Sequence, residues 1–149
     1  MNITDFVARI GNYKPDGYEF WAGHLKSNYN MEKQVNNTLL LVVPNPFPAN
    51  YRGSCYIDVR CEVWLGKIVP IKRTTEGTHQ HDPYSPLEDR KQVQDIMTQL
   101  VALINADEWL AVVSPQVAVT FYDSPDGESV NRQVWGSVDI MVRAWGVAT

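Results

Sequence analysis

Apolar residues recur at three- and four-residue spacing over one long stretch, Ser85 to Asp107. Val93, Ile96, Met97, Leu100, Val101, Leu103 and Ile104 make a wide stripe, with Asp89, Arg90, Gln92, Gln94, Asp95 and Gln99 mostly on the other faces. The spacing predicts an amphipathic helix. Ser85 suits its N-cap and Pro86 its first turn, Glu88 completes a capping box, and Asp89 places negative charge near the positive end of the helix dipole.

Elsewhere the pattern changes to strict alternation. In Ser54–Leu65, Cys55, Ile57, Val59, Cys61, Val63 and Leu65 alternate with Tyr56, Asp58, Arg60, Glu62 and Trp64, which predicts a strand with one face on the helix. Lys67–Arg73 prolongs it past Gly66, with Pro70 at an edge or bulge position. In Gln133–Trp145, Val134, Gly136, Val138, Ile140, Val142 and Ala144 face one way, against Trp135, Ser137, Asp139, Met141, Arg143 and Trp145. Val117–Tyr122 reads as a further strand, followed by the turn Asp123–Gly127. The unbroken apolar run Thr38–Val43 predicts a strand covered on both faces, and Pro44, Pro46 and Pro48 end it. Ile3–Ile10 reads as a short helix stopped by Gly11. Residues 12–33 mix aromatics with Gly, Pro and Asn, suggesting an ordered loop with a short strand near Tyr18–Trp21. The order helix, two strands, long helix, two strands predicts an α+β fold: a four-stranded antiparallel or mixed sheet with helices on one face.

At 149 residues the chain is of single-domain length, 1–149, and 44% apolar with 20% charged residues describes an ordinary globular protein. A net charge of -4 with no basic cluster argues against non-specific nucleic-acid binding. No apolar stretch approaches the roughly 20 residues that span a bilayer. The N-terminus lacks a basic segment followed by an apolar one, so no secretory signal is expected. Cys55 and Cys61 would stand ~20 Å apart on an extended strand, too far for a disulfide, and both read as small buried residues of a reducing compartment.

Candidate chemistry is sparse. His79, His81 and Asp82 form the only sequence cluster of metal-ligand types, inside the polar stretch Thr74–Tyr84. That stretch reads first as an exposed loop, and spacing alone does not make it a metal site. No nucleophile elbow, phosphate loop or dinucleotide fingerprint is present, and no cofactor is expected. Large aromatics give the stronger signal. Tyr56, Arg60, Trp64, Trp135, Met141, Arg143 and Trp145 share the face opposite the helix-packing residues, and Trp, Tyr and Arg are favoured at interfaces. Either a neighbouring molecule covers this face, or the N-terminal helix or the segment Tyr13–Tyr29 folds over it.

This succession of elements resembles the tail terminator and tail completion proteins of tailed bacteriophages, which with related neck proteins sit where head joins tail. The similar parts are the short helix ITDFVARI, the apolar strand TLLLVV, a strand leading into a long polar loop, the amphipathic helix, and the closing hairpin VAVTFYDSPDGESVNRQVWGSVDIMVRAW. Residues 12–33 and the proline-rich PNPFP fall outside the shared pattern. The resemblance implies a structural virion protein, assembled in the host cytoplasm and not an enzyme. Its copies would form a ring, usually six-fold or twelve-fold, between portal, connector or tail proteins and around DNA that passes without sequence-specific binding. No membrane is involved. Such a ring needs two different patches per subunit, for which the Thr74–Tyr84 loop and the exposed strand faces are candidates. Acidic balance agrees with a conduit that does not hold phosphate. Two other classes remain open: an adaptor or ligand-binding module built on Tyr13–Tyr29, and a small metal-dependent enzyme using His79, His81 and Asp82.

Overall fold

A computed structural model describes residues 1–24, 36–49, 55–70, 85–114, 116–123 and 131–146. The elements run α1 (Ile3–Gly11), β1 (Glu19–Gly23), β2 (Thr38–Val42), β3 (Tyr56–Pro70), α2 (Ser85–Ala106), β4 (Leu110–Val112), β5 (Thr120–Asp123) and β6 (Asn131–Trp145). The fold is α+β with both helices on one sheet face, as the periodicities predict. Among the described residues the sheet, however, has six strands and not four, in the order β1-β2-β3-β6-β4 with β5 also on β6. Its β1–β2 pair is parallel and its other pairs are antiparallel.

The centre of the sheet is the β3–β6 pair, in register from Tyr56↔Trp145 to Pro70↔Asn131. Alternation places Ile57, Val59, Cys61, Val63 and Leu65 with Val134, Val138, Ile140, Val142 and Ala144 on the helix side, all buried. Against them α2 lays Val93, Met97, Leu100 and Ile104, also buried. Each such side chain contributes about 1.5–3 kcal/mol by leaving water. Leu103, which the spacing assigns to this stripe, is 48% exposed. At 100° per residue it stands roughly a quarter turn from the stripe's centre. Side-chain capping at Ser85 and Pro86 lies outside the described residues.

Asn2 caps α1, its side chain accepting from the Asp5 N–H at 2.8 Å, and Phe6 and Ile10 enter the core. Gly11 does not stop this helix by a left-handed conformation. The helix runs through it to Asn12, and a Cβ there would stand 2.8 Å from Phe20 Cε1. Gly17, at φ +80°, makes the turn that the Tyr18 N–H closes on the Pro15 carbonyl at 3.1 Å, and β1 follows.

In β2 the unbroken apolar run is covered on both faces, as expected: Leu39 and Leu41 join the helix-side core and Leu40 the opposite side. The stretch 43–49 holds no regular structure, which its three prolines explain. β3 continues past Gly66 and ends at Pro70, beyond its last β2 partner. Two strands go beyond the sequence expectation. The short strand expected near Tyr18–Trp21 is β1, one or two residues later, and β4 falls between the long helix and Val117, where the pattern predicts no element. The strand expected over Val117–Tyr122 is paired only at Thr120–Asp123, although Val117 and Val119 still pack against the core. Cys55 is exposed, contrary to its place in the alternation, because the strand begins one residue later; Cys61 is buried.

Candidate functional site

The sheet face opposite the two described helices is the candidate site, and it divides into a dry half and a charged half. Cross-strand rows on β3 and β6 read Tyr56/Trp145, Asp58/Arg143, Arg60/Met141, Glu62/Asp139, Trp64/Ser137 and Gly66/Trp135. All seven residues assigned to this face from the sequence are on it. They are not equally open.

Trp64 and Trp135 are buried, at 5% and 2% exposure, so of the two alternatives this half of the face takes cover from within the chain itself. With Leu40 they form a second apolar cluster, joined by Trp21 and Val42. The Tyr122 ring lies 5.1 Å from that of Trp64. Each indole N–H finds the side chain two residues earlier, which period-two geometry puts on the same face: Trp64 donates to Glu62 Oε2 at 3.4 Å and Trp135 to Gln133 Oε1 at 3.1 Å. Gly66 makes room for this cluster, since a Cβ there would come within 2.6 Å of the Trp135 ring. Of the two covers considered, α1 packs instead on the helix side, while the aromatic segment contributes Trp21 through β1. Residues 25–29 of that segment lie outside the described residues. The unbroken run in β2 carried the signal for this second cluster, because a strand buried on both faces requires an apolar layer on each.

Toward the other end the face is open and charged. Arg143 donates to both Asp58 oxygens, Nε at 2.9 Å and Nη2 at 3.1 Å, and lies 4.1 Å above the Tyr56 ring. Tyr56 meets Trp145 edge-on at 6.4 Å. The Arg143 hydrogen bond holds the Asp58 carboxyl below the usual carboxylate range, and Asp58 in turn raises the guanidinium pKa. Both side chains are about one-third exposed, so solvent screens much of this attraction. Arg60 is exposed beside half-buried Met141. Glu62 and Asp139, both exposed, stand directly opposite one another, a like-charge row that lacks the compensation of the Asp58/Arg143 row.

Sequence reasoning gave no sign of a further polar node where α1 meets the end of α2. Asp107, its side chain 6% exposed, accepts from Arg9 Nε at 3.1 Å, Arg9 Nη2 at 2.9 Å, the Tyr13 hydroxyl at 2.5 Å and the Trp109 N–H at 2.8 Å. Burial alone would raise the Asp107 pKa, but the hydrogen bonds from Tyr13, Trp109 and Arg9 outweigh it and hold the carboxyl below its usual range. The same hydrogen bond raises the Tyr13 pKa. This is a clasp between helices, without an open position for a ligand.

His79, His81 and Asp82 lie outside the described residues, as does the rest of the Thr74–Tyr84 loop. Among the described residues, no three His, Cys, Asp or Glu side chains are grouped so as to hold a metal ion, and no helix is long and apolar enough to cross a membrane. Comparison with known proteins finds no family model that matches this chain and no curated protein that matches it.

Proposed function

We propose that this chain is a structural virion protein of a tailed phage, forming a six-fold or twelve-fold ring at the head–tail junction around the channel through which DNA passes. One observation carries the reading. Among the described residues both helices pack on one side of the sheet, while the other side presents Tyr56, Asp58, Arg60, Glu62, Asp139 and Arg143 with no helix over them. A face of this kind, open, mixed in charge and bounded by aromatics, suits a wall of a larger assembly better than conversion of a small molecule.

On this reading the work is mechanical. No residue needs to act as acid, base or nucleophile, and no cofactor is required. The chain stands between portal, connector or tail proteins, and DNA slides past it without base-specific contact. The two-zone face supports this role: the dry half stiffens the sheet, and the charged half stays hydrated.

Sedimentation velocity of the purified chain, followed by negative-stain imaging of any large species, tests the proposal. The expected result is a discrete particle of six or twelve 16.9 kDa subunits with a central hole. A monomer at every concentration overturns it.

A further inference from the structure

Among the described residues the sheet is closed along part of its border and open along two other stretches. At β4 the N–H groups directed away from β6 are already used: Leu110 donates to the Asp107 carbonyl at 3.3 Å and Val112 to Asn105 Oδ1 at 2.9 Å. That edge is protected. At β1 the ladder to β2 employs the Glu19 N–H, on the Asn37 carbonyl at 2.8 Å, and the Gly23 carbonyl, which accepts from Val43 at 2.9 Å. Alternation therefore turns the N–H and C=O of Phe20 and Ala22 outward. β1 ends the strand order and β5 pairs with β6 alone, so among the described residues no strand lies on the outer side of either.

These two open edges lie at one level of the sheet. The register runs Trp21, Leu40, Trp64, Ser137, Thr120 across five strands, with β1 and β5 at its opposite ends. Each edge carries an apolar residue on each face, beside the exposed polar Glu19 on β1 and Thr120 on β5. On the helix side a shallow groove of about 420 Å³, floored by Ile3, Val7, Ala22 and Val43, runs beside β1. At β5 the helix side holds half-buried Phe121. On the opposite face the indole cluster ends in Trp21 at one edge, and 46%-exposed Tyr122 stands at the other.

We propose that a second copy of this chain occupies the β1 edge with its own β5 edge, so that the sheet continues from subunit to subunit. The inference rests on the ring reading and names its contact. Strand senses agree: stepping through the pairings, β5 runs opposite to β1, and head-to-tail repetition keeps all copies in one sense, so the new pair is antiparallel. Helix-side surface meets helix-side surface, and aromatic meets aromatic. The two patches differ, so the contact is heterologous and can close a ring under rotation. Backbone hydrogen bonds would supply affinity, as in other strand additions, and the flanking side chains would set the register. A two-fold β1–β1 pairing would leave β5 open on every copy, which the head-to-tail arrangement does not.

Two single variants test it. Ala22→Pro removes an outward N–H at an edge position where proline is tolerated, and Tyr122→Lys places a charge on the β5 edge. Each variant is expected to lose the ring and sediment as the 16.9 kDa monomer, with the wild-type circular dichroism spectrum. Mixed in equal amounts they should give a particle of twice that mass and nothing larger, because the intact β5 edge of the first meets the intact β1 edge of the second. Wild-type-sized rings from either variant, or a mixture that stays monomeric while the wild type forms rings, overturn the contact and leave the ring reading standing. A wild type that never assembles overturns both. Should circular dichroism show either variant unfolded, a Glu19→Cys/Thr120→Cys chain in a Cys55→Ser background replaces it. Glu19 and Thr120 are exposed on the helix-free face, and a short bis-maleimide should yield a ladder of covalent oligomers. Monomer alone from that reaction overturns the inference.

Discussion

Asp107 ties the end of α2 to α1, and its partners make it the most consequential single carboxylate described. Asp107→Ala leaves the Arg9 guanidinium, the Tyr13 hydroxyl and the Trp109 N–H without their acceptor, and should lower stability by about 2–4 kcal/mol in urea unfolding. The pH dependence follows from the direction of the shift. The folded-state pKa of Asp107 is depressed, so its stabilisation is complete above the unfolded value of about 3.9 and is lost as pH falls through the lower, folded one. The gap in urea midpoint between wild type and Asp107→Asn should thus stay constant near neutrality and close in acid. A gap that widens in acid contradicts this account. Gly66 is a second sensitive position, of the opposite kind. Its Cα faces the Trp135 ring, and Gly66→Ala would bring a methyl within 2.6 Å of an indole that is itself buried. Overpacking of this sort costs about 1–3 kcal/mol, measurable in the same assay, and the near-UV circular dichroism of the tryptophans should change with it.

Among the elements, α2 sorts its apolar residues by angle. Leu100→Ala should cost about 2–5 kcal/mol, because Leu100 is 1% exposed, whereas Leu103→Ala should be nearly neutral at 48%. Equal effects at the two positions would mean that the helix is rotated from the orientation described. β3 offers a chemical check on its own register. Burial pushes the Cys61 thiol up to about 12, and Cys55 is exposed just before the strand, so a thiol reagent at pH 8 should label one cysteine in the folded chain and the second only on unfolding. These elements were legible because periodicity is a local property: α2, β2, β3 and β6 each bury a face that the chain itself encodes. β1 and β4 were harder to read for a physical reason. EFWAG and LAV are too short to show a period, and each exists because a neighbour offers a ladder of hydrogen bonds. The burial of Trp64 and Trp135 depends likewise on Trp21, more than forty residues away, and was visible only indirectly in the two-sided run Leu39–Leu41. The Asp107 clasp left no trace in the sequence, since Arg9, Tyr13 and Asp107 converge through the packing of two helices.

For the whole molecule, the one-sided placement of the helices has a consequence for any ring. If such subunits joined edge to edge as proposed, the layer with the described helices would need the larger circumference, and the opposite face would turn toward the axis. The row Glu62/Asp139 would then line the channel, two exposed carboxylates per copy repeated around the ring. In the proposed ring their field would repel phosphate and keep duplex DNA from settling against the wall. Reversing the row with Glu62→Lys and Asp139→Lys should convert the channel into a binding surface. The assembled double variant should co-sediment with duplex DNA at low salt and release it steeply as salt rises, while the wild-type ring carries none under the same conditions. Equal DNA retention by both rings, or none by the variant, would place this face outside the channel. The steepness matters as much as the retention, because counterion release scales with the number of phosphates neutralised and a ring of lysines should neutralise several at once.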